Sequence, residues 1–206
     1  MTVAPPCPNV IDVLEGGTAD VGTGGRRSLS VGHRLELPTG DDACMMRALA
    51  ARSGLDSMTL NAYRTVCREL APTSIVARHG GELVGFVTAY QRPRNLDTLF
   101  VWQIAVSLAH RRRGMGRAML ASLQHRLRAS GVWWLEARMS ASSHASRRLF
   151  QSFALAAQLR YAELELTSMN CFPTPREPEL LLRIGTNAPA GSGRPVSLIS
   201  PGAASS

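Results

Sequence analysis

Lysine is missing from this 206-residue chain; all 23 of its basic residues are arginines. That absence removes a Schiff-base lysine, and with it pyridoxal chemistry and any lysine nucleophile. It also removes the Gly-Lys-Ser/Thr of a P-loop. Cysteine is scarce: Cys7, Cys44, Cys67 and Cys171 lie far apart and make no metal or redox spacing. A reducing cytoplasm and a chemistry without metal are the expectation. No run approaches the ~18 apolar residues of a membrane span. The first residues hold no continuous apolar leader core either, since Asp12 interrupts Val10 to Leu14. No membrane partner is therefore expected. Acids are outnumbered, 15 against 23, for a formal net charge of +8. One reading of that excess is a non-catalytic basic module that binds nucleic acid. The arginines, however, are spread along the whole chain, and only Arg111 to Arg113 form a run of three. The reading adopted is a site for an anionic small molecule, with no nucleic-acid partner.

That run lies in the most informative stretch, Thr98 to Leu120. Its first half, Leu99 to Val106, is apolar except for Gln103, the pattern of a strand covered on both faces. A short loop follows with Arg111-x-x-Gly114-x-Gly116, and then a helix begins. Glycines let main chain approach a ligand closely, and amides that open a helix favour negative charge. The segment reads as a pyrophosphate cradle beside a buried strand. A dinucleotide fingerprint needs a third glycine, and Met119 stands there instead.

The chain is long enough for one domain with a real core. Residues 1–33, with six glycines and three prolines, and residues 186–206, rich in Ala, Ser, Gly and Pro, read as disordered tails around a domain at 34–185. Within it, 35–37 reads as a short strand, and Thr39-x-x-Asp42 as a capping box opening a helix at 41–52. A helix at 59–70 is stopped by Pro72. Strands at 74–78 and 82–90 flank a Gly80-Gly81 hairpin, and a loop with Pro93 leads to the strand at 98–106. A helix at 115–129 ends at Gly131, followed by a strand at 132–138, a helix at 144–153 and extended segments at 161–166 and 179–184. This order suits an α/β (α+β) mixed sheet with helices on both faces.

The Arg-x-x-Gly-x-Gly spacing after an apolar strand resembles the acetyl-coenzyme A loop of the GNAT acyltransferases, and the element order is similar to their fold. Five further segments narrow the resemblance. They are Asp97 to Val106; Leu55-Asp56 with Asn61-Ala62-Tyr63; Gly85 to Thr88; Ala145 to Phe150 with Ser152-Phe153; and Glu177-Pro178-Glu179. Together they resemble the L-2,4-diaminobutyrate acetyltransferases of ectoine biosynthesis over roughly residues 35 to 185. The resemblance implies transfer of acetyl from acetyl-CoA to the N4 amine of L-2,4-diaminobutyrate by a cytoplasmic homodimer without metal. The alternative is a GNAT enzyme for another small diamine or a protein N-terminus.

By the same resemblance, backbone groups of Ile104, Ala105 and Val106 pair with pantetheine. Backbone amides of Arg111, Arg112, Arg113, Gly114, Met115, Gly116, Arg117 and Ala118 hold the pyrophosphate, with Ser143 and Ser146 also on the cofactor. An acceptor with two ammonium groups calls for acids. Asp56 is the first candidate, against a role as cap of the helix at 59–70. Glu179 is the second, against a solvent-facing acid. Trp102 offers an aromatic wall and a cation–π contact, against plain core packing. Asn61, Tyr63 and Arg176 complete the expected acceptor side; Arg176 stands where relatives commonly have His, and Asn61 where they often have Tyr. Glu136 is a spare proton acceptor, against an ion pair with a nearby arginine. Ser142-Ser143 replaces the family's usual Ser-Asn, and Leu149-Phe150 brings no hydroxyl where many GNAT enzymes place a tyrosine.

Overall fold

Short apolar runs, punctuated by glycine turns, build one sheet through the described residues. The computed structural model describes residues 32–56, 58–166 and 178–187. Its strands are β1 (His33–Glu36), β2 (Ile75–His79), β3 (Glu82–Arg92), β4 (Asn95–Val106), β5 (Trp134–Ser140), β6 (Arg160–Leu166) and β7 (Glu179–Gly185). Its helices are α1 (Asp42–Arg52), α2 (Leu60–Glu69), α3 (Met115–Arg128) and α4 (His144–Ala156). The sheet order is β1-β2-β3-β4-β5-β7-β6. Every neighbouring pair is antiparallel except β4 with β5, which is parallel. The α/β expectation stands. No helix among the described residues is long and apolar enough to cross a membrane.

Each face of the sheet carries its own apolar cluster, because strand side chains alternate. On one face Val87, Ile104, Leu135 and Leu182 meet Met119 and Leu123 of α3 and Phe150 and Phe153 of α4. On the other, Val76, Phe86 and Ala105 meet Met46 and Leu49 of α1 and Tyr63 and Val66 of α2. At the start of α1, Asp42 is fully buried. Its carboxylate accepts from the Thr39 N–H at 2.8 Å and the Thr39 hydroxyl at 3.0 Å, the returning half of the expected capping box. Arg78 on β2 closes the charge by pairing with Asp42 at 2.5 Å and Glu36 at 3.1 Å.

Several boundaries differ from the sequence reading; β1 begins at His33 rather than at 35, and three others have a local cause. The loop expected around Pro93 is a two-residue turn: β3 and β4 form one long hairpin with Arg92 opposite Asn95. Proline fits there because its fixed φ suits a turn and it has no N–H to withhold from the ladder. β5 starts at Trp134 because the two residues before it serve other partners. The Val132 N–H closes α3 on Leu127 O at 3.2 Å, and the Trp133 N–H bonds Asp97 O at 2.8 Å. α4 runs on to Ala156 and stops only where Gln158 turns left-handed at φ 53°.

Candidate active site

The parallel pair β4–β5 is in register only from Thr98↔Trp134 to Val101↔Ala137. Beyond that point β4 stays on β3 as far as Val106, and β5 stays on β7 as far as Ser140. Two neighbouring strands therefore part in mid-sheet, and each turns an edge toward the gap. The parting coincides with a bulge. β3 residues Thr88 and Ala89 face Gln103 and Val101, so Trp102 between them has no partner in either ladder. A bulge re-aims the strand and frees main-chain groups of the extra residue. The side chains of Ile104 and Ala105 are buried, so this edge can offer a ligand only main chain.

β4 runs out of this edge into the basic loop. The loop is anchored by the Ser107 N–H on Val84 O at 2.8 Å and the His110 N–H on Ser107 O at 2.9 Å. Arg112 adopts φ 61° and Gly114 φ 78°, two left-handed residues bracketing Arg113. Such alternation gathers successive N–H groups into a concavity that suits an anion. Gly114 is the N-cap of α3 and no side chain caps that terminus, so the opening amides of Met115, Gly116 and Arg117 lie within the helix's uncapped first turn. Arginines ring them. Arg112 and Arg113 are exposed. Arg117 folds back until its Nη2 lies 3.9 Å from where a Gly114 Cβ would be. Arg111 turns inward, its Nε donating to Val106 O at 3.0 Å. Gly116 leaves room for close packing: a Cβ there would crowd both Leu149 methyls at 3.1 Å. α3 can thus sit close on α4 across the floor of the gap.

On the opposite sheet face, Gln103 organises the loop between α1 and α2. Its Oε1 accepts from the Tyr63 hydroxyl at 2.9 Å and its Nε2 donates to Asp56 O at 2.8 Å. Its own N–H donates to Thr88 Oγ1 at 3.1 Å. Asp56 is thereby pinned beside the bulge, its side chain exposed. The cap of α2 is Thr59, which accepts from the Ala62 N–H at 3.2 Å, so the capping alternative for Asp56 falls away. Asn61 is exposed on the first turn of α2. Trp102 is half-buried; it packs on the α1–α2 cluster and meets Tyr90 edge-on at 6.3 Å. Glu179 opens β7 opposite Ser140, where β5 stands free of β4. It is half-buried and pairs with Arg138 at 3.5 Å rather than pointing to bulk water.

Other expected residues sit elsewhere. Glu136 lies in the paired part of β5, 6% exposed, with Arg92 at 2.9 Å on one oxygen and Arg183 at 3.7 Å on the other. That is the ion-pair arrangement the sequence reading set against a role as proton acceptor. Tyr63 has no exposed surface, and burial pushes its phenol up to about 12. It stays protonated and bears on the site through its hydrogen bonds to Gln103 and to the Met58 backbone. Ser146 is fully buried and Ser143 nearly so; their hydroxyls are 3.2 Å apart at the start of α4, so neither presents an exposed side-chain contact. Arg176 lies outside the described residues. Sequence reasoning gave no role to Gln103, although the single polar residue in an apolar strand was its signal. It also gave no hint that Arg112 would be left-handed, a conformation expected of Gly or Asn.

Residues 44–154 match the model of the acetyltransferase (GNAT) family. The L-2,4-diaminobutyric acid acetyltransferase of Streptomyces coelicolor is 40% identical over 154 residues, spanning 73% of this chain and 91% of its own. A solved structure of diaminobutyrate acetyltransferase EctA from Paenibacillus lautus, in complex with its substrate L-2,4-diaminobutyric acid and coenzyme A, superposes with TM-score 0.69 at 35% identity. That match covers 74% of this chain and 94% of the other. The ribosomal-protein-S18-alanine N-acetyltransferase from Escherichia coli, at TM-score 0.61 and 20% identity over 79% of this chain and 99% of its own, shares the fold alone. A parted parallel strand pair, a bulge at Trp102 and an uncapped, arginine-ringed helix terminus thus lie within a span that these likenesses cover, and the chain belongs to the GNAT acetyltransferase family.

Proposed function

We propose that this protein transfers acetyl from acetyl-CoA to the N4 amine of L-2,4-diaminobutyrate, the step whose product is cyclised to ectoine. The observation that carries this reading is the 40% identity, over 91% of its length, to a relative of that name. The catalytic unit is residues 34–185, working as a cytoplasmic homodimer with neither nucleic acid nor membrane as partner.

The chain's own groups divide the labour. The free edge of β4 at Ile104 to Val106 pairs with pantetheine as an added strand would. Main-chain amides from Arg111 to Ala118 hold the diphosphate, with Arg112, Arg113 and Arg117 supplying charge. This fixes the thioester at the bulge, where a β4 amide stabilises the oxyanion. Asp56 and Glu179 receive the acceptor's ammonium groups, and Trp102 walls the amine toward the carbonyl. Asn61 is on the carboxylate side of the acceptor, the role the family resemblance also implies for Arg176. The N4 ammonium gives one proton to Asp56 or to water, and the freed lone pair attacks the carbonyl carbon; as the tetrahedral intermediate collapses, the nitrogen gives its second proton to solvent and the C–S bond breaks. Leu149 and Phe150 offer no hydroxyl, so the departing thiolate takes its proton from solvent, as a thiol pKa of about 8.5 allows.

Steady-state kinetics with diaminobutyrate, ornithine, lysine, spermidine and an N-terminal peptide test the reading. The expected result is the highest kcat/KM for diaminobutyrate, with NMR placing the product acetyl on N4. Preference for another diamine or for the peptide would reject the acceptor while leaving acetyl transfer in place. Light scattering on a sizing column should give twice the chain mass.

A further inference from the structure

Three of the five histidines converge at the far side of the basic loop, away from the acetyl-transfer chemistry. His33 on β1 stands directly opposite His79 on β2, and His110 comes in from the turn at Leu108–His110. The ring centroids are 4.4 Å apart for His33–His79, 5.2 Å for His79–His110 and 5.5 Å for His33–His110. One ring nitrogen from each lies within 4.8 Å of the others. We propose that these three imidazoles form a binding site for one first-row divalent cation of the zinc class, bridging β1, β2 and the pyrophosphate loop.

Four observations support this chemistry. Borderline ions take imidazole in preference to oxygen-only sets. Tetrahedral bonds of about 2.0–2.1 Å place ligand nitrogens about 3.3 Å apart, so modest side-chain rotation closes the present arrangement. The ring of His110 is already oriented: its Nδ1 is 2.8 Å from Ser107 Oγ, which leaves Nε2 to coordinate, as an outer partner does for a ligating histidine. Access exists too, since His79 is exposed and the other two rings are only partly buried. An ion here would tie a four-residue edge strand and the residue just before Arg111 into one unit. It plays no part in acyl transfer.

Calorimetry of untagged full-length protein with Zn²⁺ tests the site. The expected result is one ion per chain and a raised melting temperature. His33→Gln and His110→Gln should each weaken binding by about tenfold or more, whereas His125→Gln on α3 should leave it unchanged. Co²⁺ should give the absorption of a four-coordinate ion. Pulsed EPR of Cu²⁺-loaded wild type counts bound imidazoles without any substitution; three is expected. Fewer than two imidazoles, an octahedral cobalt spectrum, or zinc affinity unmoved by both substitutions would overturn the proposal.

Discussion

Gln103 sits in an otherwise apolar strand because polar groups on three other segments meet there. The Tyr63 hydroxyl, the Asp56 carbonyl and the Thr88 hydroxyl all bond to it. A satisfied hydrogen bond contributes about 1 kcal/mol net, whereas a buried partner left unpaired costs about 1–3 kcal/mol. Gln103→Leu keeps the size and strands both Tyr63 and the Asp56 loop. Urea denaturation should show a loss of about 2 kcal/mol. The KM for the acceptor should rise severalfold while that for acetyl-CoA barely moves, because the substitution loosens the α1–α2 loop and not the pyrophosphate loop. An equal rise in both would mean that Gln103 supports the sheet in general. Asp42 makes a related point about charge. Its buried carboxylate is held by Thr39 and Arg78, so Asp42→Ala leaves Arg78 with only the exposed Glu36.

At the level of elements, the N-terminus of α3 depends on backbone shape. Gly114 holds φ 78°, and a Cβ there would touch only Arg117 Nη2, at an ordinary 3.9 Å. Gly114→Ala therefore meets no clash but keeps an alanine left-handed, at about 1–2 kcal/mol. The helix start should shift to relieve this, raising the KM for acetyl-CoA and leaving the acceptor KM unchanged; kinetics with each substrate varied in turn reads the difference. The sheet edge has a different dependence. On β6, Glu163 bonds the Tyr161 hydroxyl at 2.5 Å and Arg147 of α4 at 2.6 Å. Burial pushes its carboxyl upward, but the Tyr161 and Arg147 hydrogen bonds and the charge of Arg147 prevail, and the net shift is downward. A carboxyl lowered on folding contributes stability that is present above its unfolded value, about 4.3, and is lost as pH falls through the folded value. Melting temperatures from pH 7 downward should fall below that range, and Glu163→Gln should flatten the decline.

These elements also show what the sequence could disclose. Helices and strands were legible wherever apolar period and a stop signal agreed, as at Pro72 and Gly131. The basic loop that opens α3 was legible because its glycines and arginines are contiguous. The boundaries that moved, at Pro93, Val132 and Ala156, depend on which partner each N–H finds, and that is a tertiary matter. The partners of Glu136 were not legible because Arg92 and Arg183 reach it from two other strands. The histidine cluster was hidden for the same reason: His33, His79 and His110 share no local spacing and meet only through strand pairing.

For the whole molecule, the net charge of +8 and the arginine-ringed helix terminus act together on an anionic substrate. In the proposed reading, a field spread along the whole chain draws the ligand in, and fixed amides at one helix start hold it. The central claim is that the main chain of residues 111–118 grips the diphosphate of the acyl carrier. Calorimetric titration of the wild-type protein with coenzyme A and, in parallel, with pantetheine, which lacks the diphosphate, tests this most directly. The account predicts saturable binding of one coenzyme A per chain that weakens as salt is raised, and pantetheine binding weaker by at least about a hundredfold. Equal affinity for the two, or no binding of coenzyme A, would contradict it.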